Sequence, residues 1–382
     1  MSRSSSAAGG GHRREVGVAV IGAGVLGLAV VDSLVRRGVD VVCFDGRVPG
    51  SGLSGGLTRT FRHRHDDERH VAMAVDGLAG FREWERRSGR VLVGSEGAVY
   101  SGMGPADVKG LVLHGVEHRF VEASRQDEVF PGLAPVDGPL LVDPGAGAIR
   151  ARNTIDALVG WVGDRIVQAD IHSVTVPRDG DGVEIQTTEA IYRARHVVIA
   201  AGTAVPKLAR GVGIDIPLRS RLHVRPHFRI RGYEPGRTRP LPCWVDRAGI
   251  WGETVYGSPI GDTGKYVIGL IGAEVDTPFG PDGALPEGSS TLVDAQRIVE
   301  YVQRALPGLD PEPVGVRVCV MTKLPAGSDA LRAWHTDGVT AVAGHNLFKM
   351  APVLGELLAD AAEHNRLPDR LVDAGAGALD AP

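Results

Sequence analysis

The sequence predicts an α/β fold in which a Rossmann-like dinucleotide-binding domain is intertwined with a second domain. Three observations carry this prediction. The chain has 382 residues, more than a single hydrophobic core usually serves. After a polar start, it runs through strand, glycine turn, helix, strand and acidic residue in close succession. Much later, "HVVIAAGT" supplies a second apolar strand that ends on glycine.

Val16–Ile21 is a near-continuous apolar run, as suits a strand covered on both faces. Gly22, Gly24 and Gly27 follow with GxGxxG spacing, and a helical pattern then reaches Arg37 and stops at Gly38. Gly22 permits the tight turn, Gly24 lets a pyrophosphate approach the backbone, and Gly27 lets helix and strand pack closely. The helix N-terminus offers free N–H groups to phosphate. Val39–Phe44 is the second strand, and Asp45 ends it where an acceptor for ribose hydroxyls belongs. Two features favour FAD over NAD. One is the Gly/Ser-rich loop after Asp45. The other is the strand His196–Ala201 running into Gly202-Thr203, a second contact for a long dinucleotide.

Composition narrows the function classes. Hydrophobic residues make up 43% and charged residues 23%, with a net charge of −4. No field of the kind that gathers nucleic acid is present, so local basic clusters need local explanations. Cys43, Cys243 and Cys319 lie far apart without disulfide or metal spacing, which fits a reducing cytoplasm. Residues 1–14 read as a disordered Gly/Ser-rich tail. No run approaches eighteen apolar residues, so no membrane span is expected.

The stretch "GLTRTFRHRH" puts Arg59, Arg62, His63, Arg64 and His65 within seven residues. Taken alone it is either a basic face neutralised by Asp66-Asp67-Glu68 or a grip on an anion beside the nucleotide. Arg59 and Arg62, three apart, would share a face on a helical turn, while Arg64 and Arg69 read as surface residues. No cysteine or carboxylate set completes a metal site with the histidines, and none is expected.

Together, "VIGAGVLGL", "GLTRTFRH", "VVIAAGTAVPKL", "GIDIPL", "VYGSPI" and "FKMAPVLGELLADAA" resemble the monomeric sarcosine oxidase and N-methyltryptophan oxidase group, within the D-amino-acid oxidase superfamily of flavoenzymes. The resemblance runs from about residue 16 to about residue 362. It implies an FAD-binding Rossmann-like domain interleaved with an α+β substrate domain on a mixed sheet. The expected division is 15–85, 145–215 and 315–375 for the FAD domain, with 86–144 and 216–314 for the substrate domain. Strand-like runs such as "GVEIQTTEAIYRA" and "KYVIGLIGAE", and the helical "STLVDAQRIVEYVQRAL", agree with such a mixture. The group's state implies a monomer.

The resemblance also implies roles. Arg59 lies by the flavin, and Arg62 grips a substrate carboxylate with Lys349, for which a planar guanidinium is well shaped. Pro352 suits the first turn of a helix whose positive end points at the flavin. Cys319 occupies the position of a cysteine bonded to the flavin, although a cysteine in an apolar strand is equally at home as packing. Tyr256 is either a substrate cap or a structural residue.

Two positions depart from the group. Its oxygen-activating lysine falls on Val267, and a nearby histidine falls on Ile271. Lys265 shares the strand face of Val267 but lies about 7 Å along it. Either Lys265 serves through a shifted register or an acceptor other than O2 is used. The loop "AGHNLFK" is also shorter than the group's.

The expected function is FAD-dependent oxidation of the C–N bond of a free, N-methylated or cyclic amino acid to an imine, with O2 reduced to H2O2. A dehydrogenase using another acceptor, and a non-catalytic flavin- or nucleotide-binding protein, are the competing readings.

Overall fold

The computed structural model describes residues 13–178, 180–276, 291–325 and 330–375. Most of the expected tail, residues 1–12, lies outside the described residues. Arg13 and Arg14, assigned to that tail by sequence, instead start the first strand, Arg13–Ile21. They are held there because Arg13 and Arg14 pair in register with Ile191 and Tyr192.

That strand is the centre of an eight-stranded sheet. Val41–Asp45 and Ile191–Ile199 flank it in parallel, Val339–Gly344 extends the sheet beyond the latter, and Ile166–Gln168 extends it beyond the former. Parallel strands buried on both faces need apolar side chains throughout, and Val18, Ala19, Val20 and Ile21 are all at most 3% exposed. The run "GVEIQTTEAIYRA" is not one strand. It folds as a hairpin, Val183–Thr187 and the start of Ile191–Ile199, on this same sheet.

Helices Val25–Arg36 and Leu347–His364 cover one face and share a core with Glu68–Ser88 and Ala151–Val162. Gly77 and Gly80 let the long helix Glu68–Ser88 press on the beginning of Leu347–His364. A β-carbon at Gly77 would lie 2.9 Å from the Lys349 carbonyl, and one at Gly80 2.4 Å from the Pro352 β-carbon. The backbone that carries Lys349 is thus clamped from outside.

A nine-stranded mixed sheet makes the second layer, backed by helix Thr291–Ala305 through a separate core that includes Trp244, Phe228 and Tyr301. Its longest strand, Arg219–Arg229, lies next to one edge and pairs with Lys265–Leu270 on one side and the edge strand Gly315–Lys323 on the other. Sequence puts Gly315–Lys323 at the start of the last FAD-domain segment, but hydrogen bonding places it in the nine-stranded sheet. A short two-stranded ribbon, Thr58–Phe61 with Gly147–Arg150, lies apart from both sheets. No helix among the described residues is long and apolar enough to cross a membrane.

Candidate active site

The glycine turn is built by steric exclusion. Gly22 has φ +107°, and a β-carbon there would lie 2.6 Å from the Ala200 carbonyl oxygen. One at Gly27 would lie 1.8 Å from the Gly22 carbonyl oxygen. Neither position accepts another residue without a backbone shift. At Gly24 the nearest atom is Ser54 Oγ, which also accepts from the Val25 N–H at 2.9 Å. The first turn of Val25–Arg36 carries no acidic residue. Gly24, Val25 and Leu26 open on a cavity of about 390 Å³, with Gly202 on its wall.

Asp45 sits at the end of its strand as expected, with both oxygens already engaged. Oδ2 accepts from Ala23 N at 2.8 Å and Oδ1 from Arg47 N at 2.9 Å. A carboxylate oxygen has room for a second donor, so the residue both ties down the glycine turn and keeps acceptor capacity.

Arg59, Arg62, Lys349, Tyr256 and Cys319 all line the same cavity. They come from four different elements. Arg59 and Arg62 do not share a helical face. Arg59 is in the strand Thr58–Phe61, which pairs with Gly147–Arg150 and so cannot be helical, and Arg62 follows it where the strand ends. The guanidinium of Arg59 donates to the carbonyls of Thr58, Leu53 and Gly55. Burial first, then the charge of Arg225, brings its pKa down to about 10, so it remains a cation at neutral pH.

His63 and Arg64, further along the basic stretch, are buried beside acidic partners. His63 donates its backbone N–H to Asp143 at 2.9 Å, and its Nδ1 lies 3.0 Å from the same carboxylate. Arg64, expected on the surface, is 5% exposed and lines the cavity. Asp66 and Asp107, both more exposed, pair with it at 2.5 and 3.0 Å. Arg69 pairs with Asp67 at the surface. Neutralisation by the following acids therefore accounts for Arg64 and Arg69 but not for Arg59.

Lys349 lies in the first turn of its helix, not ahead of it. The helix starts at Leu347, with Pro352 its sixth residue, because Asn346 at φ 58° turns the chain into helix five residues before the proline. The left-handed conformation is one that asparagine tolerates better than most. Thr322 Oγ1 donates to the Gly344 carbonyl at 2.7 Å and ties this turn to strand Gly315–Lys323. Lys349 is 4% exposed. The same strand bears Cys319, directly opposite His223. Cys43 and Cys243 are fully buried, as expected of packing cysteines, and burial pushes both thiols up.

Lys265 stands outside. It is exposed at the start of its strand and is not on the cavity wall, while Val267 is 1% exposed and pairs with His227 and Ser258. Ile271 does line the cavity. Sequence reasoning missed His223 and Arg225 on the neighbouring strand, both on the wall. Tyr256 Oη lies 3.0 Å from His223 Nδ1, and Arg225 lies over the Tyr256 ring. Burial, then Arg225 and other cations, hold His223 well below the ordinary imidazole range, so it is neutral and can accept from the phenol. Burial pushes Tyr256 up to about 12. The alternation of "RSRLHVRPHFR" could have suggested a strand with one polar face.

The family model described as FAD dependent oxidoreductase matches residues 17–361. The chain belongs to this family. Within the family of FAD dependent oxidoreductases, it is 25% identical to monomeric sarcosine oxidase of Streptomyces avermitilis, over 90% of this chain and 93% of that protein. It is 25% identical to N-methyl-L-tryptophan oxidase of Salmonella arizonae, over 90% and 93% of the two chains. The resemblance seen in the sequence motifs therefore holds over nearly the whole chain. A mutant of NikD, described as an unusual amino acid oxidase essential for nikkomycin biosynthesis, superposes with a TM-score of 0.81 at 20% identity. It covers 97% of this chain and 99% of its own, and that likeness concerns the fold. FAD fits the residues present. The glycine cradle excludes side chains, the helix N-terminus opens on the cavity, and the cavity continues from there to Cys319 and Lys349.

Proposed function

We propose that this oxidoreductase oxidises the C–N bond of a free, N-methylated or cyclic amino acid to the imine. The observation that carries the reading is the meeting of Arg62 and Lys349, from separate segments, in the one cavity onto which the glycine turn opens. In this reading Gly22, Gly24, Gly27, Asp45 and Gly202 hold the dinucleotide, Arg59 lies by the flavin, and Cys319 carries it covalently. The FAD domain comprises 15–85, 145–215 and 315–375, with Gly315–Lys323 lent to the sheet of the substrate domain, 86–144 and 216–314.

FAD, when bound, accepts a hydride equivalent from the substrate carbon. The residues of the chain do the rest. Arg62 and Lys349 fix the carboxylate and so orient the C–H bond, which is where most of a positioned reaction's advantage arises. Arg59, Arg62 and Lys349 also favour the neutral amine over the ammonium ion, because a like charge nearby lowers an amine's pKa. The neutral amine is the form that can be oxidised, so no protein base is required. Tyr256, fixed by His223, closes the wall beside it. Loss of a hydride from carbon and a proton from nitrogen leaves the imine, which water hydrolyses.

Composition supports a cytoplasmic protein and the relatives' group a monomer. The acceptor is O2 in the first reading. The position of Lys265, outside the cavity, favours another acceptor as the second reading, and rapid peroxide release in air excludes that one.

Two measurements test the proposal. Titration with a simple carboxylate, followed by flavin absorbance, should weaken about a hundredfold in Arg62→Ala, the loss of a paired charge-assisted contact. An unchanged affinity refutes the site assignment. Acid precipitation of the holoprotein should leave a yellow pellet, and a colourless pellet in Cys319→Ser. Yellow in the wild-type supernatant removes Cys319 from its role.

A further inference from the structure

We propose that Arg225 forms a second anion site in the cavity, one that takes the distal carboxylate of a dicarboxylic amino-acid substrate. The inference rests on the amino-acid reading above and adds a second charge to the substrate.

Arg225 projects from Arg219–Arg229 into the cavity and is 6% exposed. Among the described residues its guanidinium makes no hydrogen bond or ion pair, and its Nε is buried without an acceptor. A guanidinium does not give up its proton, and an uncompensated buried charge is expensive. Among the described residues, the Tyr256 ring faces it but no carboxylate pairs with it. Its direct cross-strand partner is another cation, Arg317. Glu274 is the one carboxylate among the described lining residues, and its oxygens face Lys323 at 3.0 Å and Arg221 at 3.6 Å.

Geometry points to a carboxylate as the missing partner. The Arg225 Cζ lies 5.5 Å from the centre of the Tyr256 ring, an arrangement that leaves N–H groups of the planar fork available to two oxygens. Arg59 differs in this respect. Three backbone carbonyls take its N–H groups, so its charge acts through space. Arg62 and Lys349 enter the cavity from the ribbon and the helix, Arg225 from the nine-stranded sheet. A diacid bound at both ends would bridge these elements across the one cavity they line.

The test uses the full chain with FAD bound and measures Kd for monocarboxylates and for saturated dicarboxylates from malonate to adipate. Flavin absorbance and thermal shift are the two readouts. The wild type should bind one dicarboxylate at least about tenfold tighter than the monocarboxylate of equal length, the gain expected of one more charge-assisted contact. Arg225→Met should abolish this ratio, and Arg225→Lys, which keeps the charge without the fork, should retain part of it. Absence of a dicarboxylate preference in the wild type overturns the proposal whether or not the variants fold. So does an undiminished ratio in Arg225→Met. A lowered flavin potential with that ratio intact would assign Arg225 to the cofactor instead. Arg62→Ala separates the underlying reading. If it leaves monocarboxylate affinity untouched, the first carboxylate site is misassigned, while the ratio still reports on Arg225.

Discussion

The two ends of the cavity are built on opposite principles. At the nucleotide end the wall is backbone, and glycines are fixed by what would collide with a side chain. At the far end it is charge, with Arg62, Arg225 and Lys349 coming from a strand end, a strand and a helix, and neutral His223 beside Arg225 on the same strand. Steric construction is mostly local: the glycines and Asp45 fall within residues 22–45, and Ala200 supplies the distant backbone that closes on Gly22. Electrostatic construction is distributed, since a guanidinium can reach a cavity from any strand whose face is turned towards it. The difference teaches why one end is written as a short motif along the chain while the other draws its polar groups from separated elements. Val267 is buried off the cavity wall and Ile271 gives that wall an apolar side chain, while Arg225 and His223 supply its polar groups from Arg219–Arg229.

Substitution should affect the two ends unequally. The largest effect is expected for Gly27→Ala. Its β-carbon would meet the Gly22 carbonyl at 1.8 Å, so the turn must open, at about 3 kcal/mol or more and with loss of FAD binding. Urea unfolding and FAD titration measure both. A stable variant that keeps FAD would mean that the nucleotide end is not set by sterics.

Charge burial is the next largest. His196, on Ile191–Ile199, has its pKa lowered from 6.5 to about 4 by burial and then by His335 beside it. Below pH 6.5 the unfolded chain takes up a proton that the folded chain refuses until about pH 4. Stability present above pH 6.5 is therefore lost as pH falls through that window, about 3 kcal/mol in all. His223 is lowered in the same direction. Unfolding midpoints in urea at pH 7 and pH 4.5 should show the slope, and His196→Gln should flatten it. An unchanged slope in that variant would place the pH dependence elsewhere.

The smallest effect is at Tyr256. Tyr256→Phe removes one hydrogen bond to His223 Nδ1, worth about 1 kcal/mol. FAD content should be unchanged and the thermal midpoint only slightly lower. Loss of FAD in this variant would show that the two ends are coupled after all.

Much of the fold was legible because its signals are local. The apolar run Val16–Ile21, the glycine spacing and Asp45 follow one another along the chain, and period and turn chemistry act at short range. The helix of Leu347–His364 was legible too, but not its start. Pro352 is a good first-turn residue in isolation, while Asn346 and the tie from Thr322 to Gly344 begin the helix five residues earlier. Arg64 was misplaced for a similar reason. A charged residue belongs outside unless acids, here Asp66 and Asp107 nearer the surface, pair with it where it is buried.

The sequence by itself determined the βαβ turn that receives the dinucleotide, and its resemblance to a known family named Arg59, Arg62, Lys349, Tyr256 and Cys319 as candidates. Only the tertiary structure decided which side chains share a wall. It brought these five into one cavity, left Lys265 outside, and added His223 and Arg225. The physical reason is that strand register and sheet order fix which faces meet. Both arise from pairings between residues far apart in the chain, such as His223 with Cys319 and Val267 with His227, and a pattern of period two cannot identify its own partner.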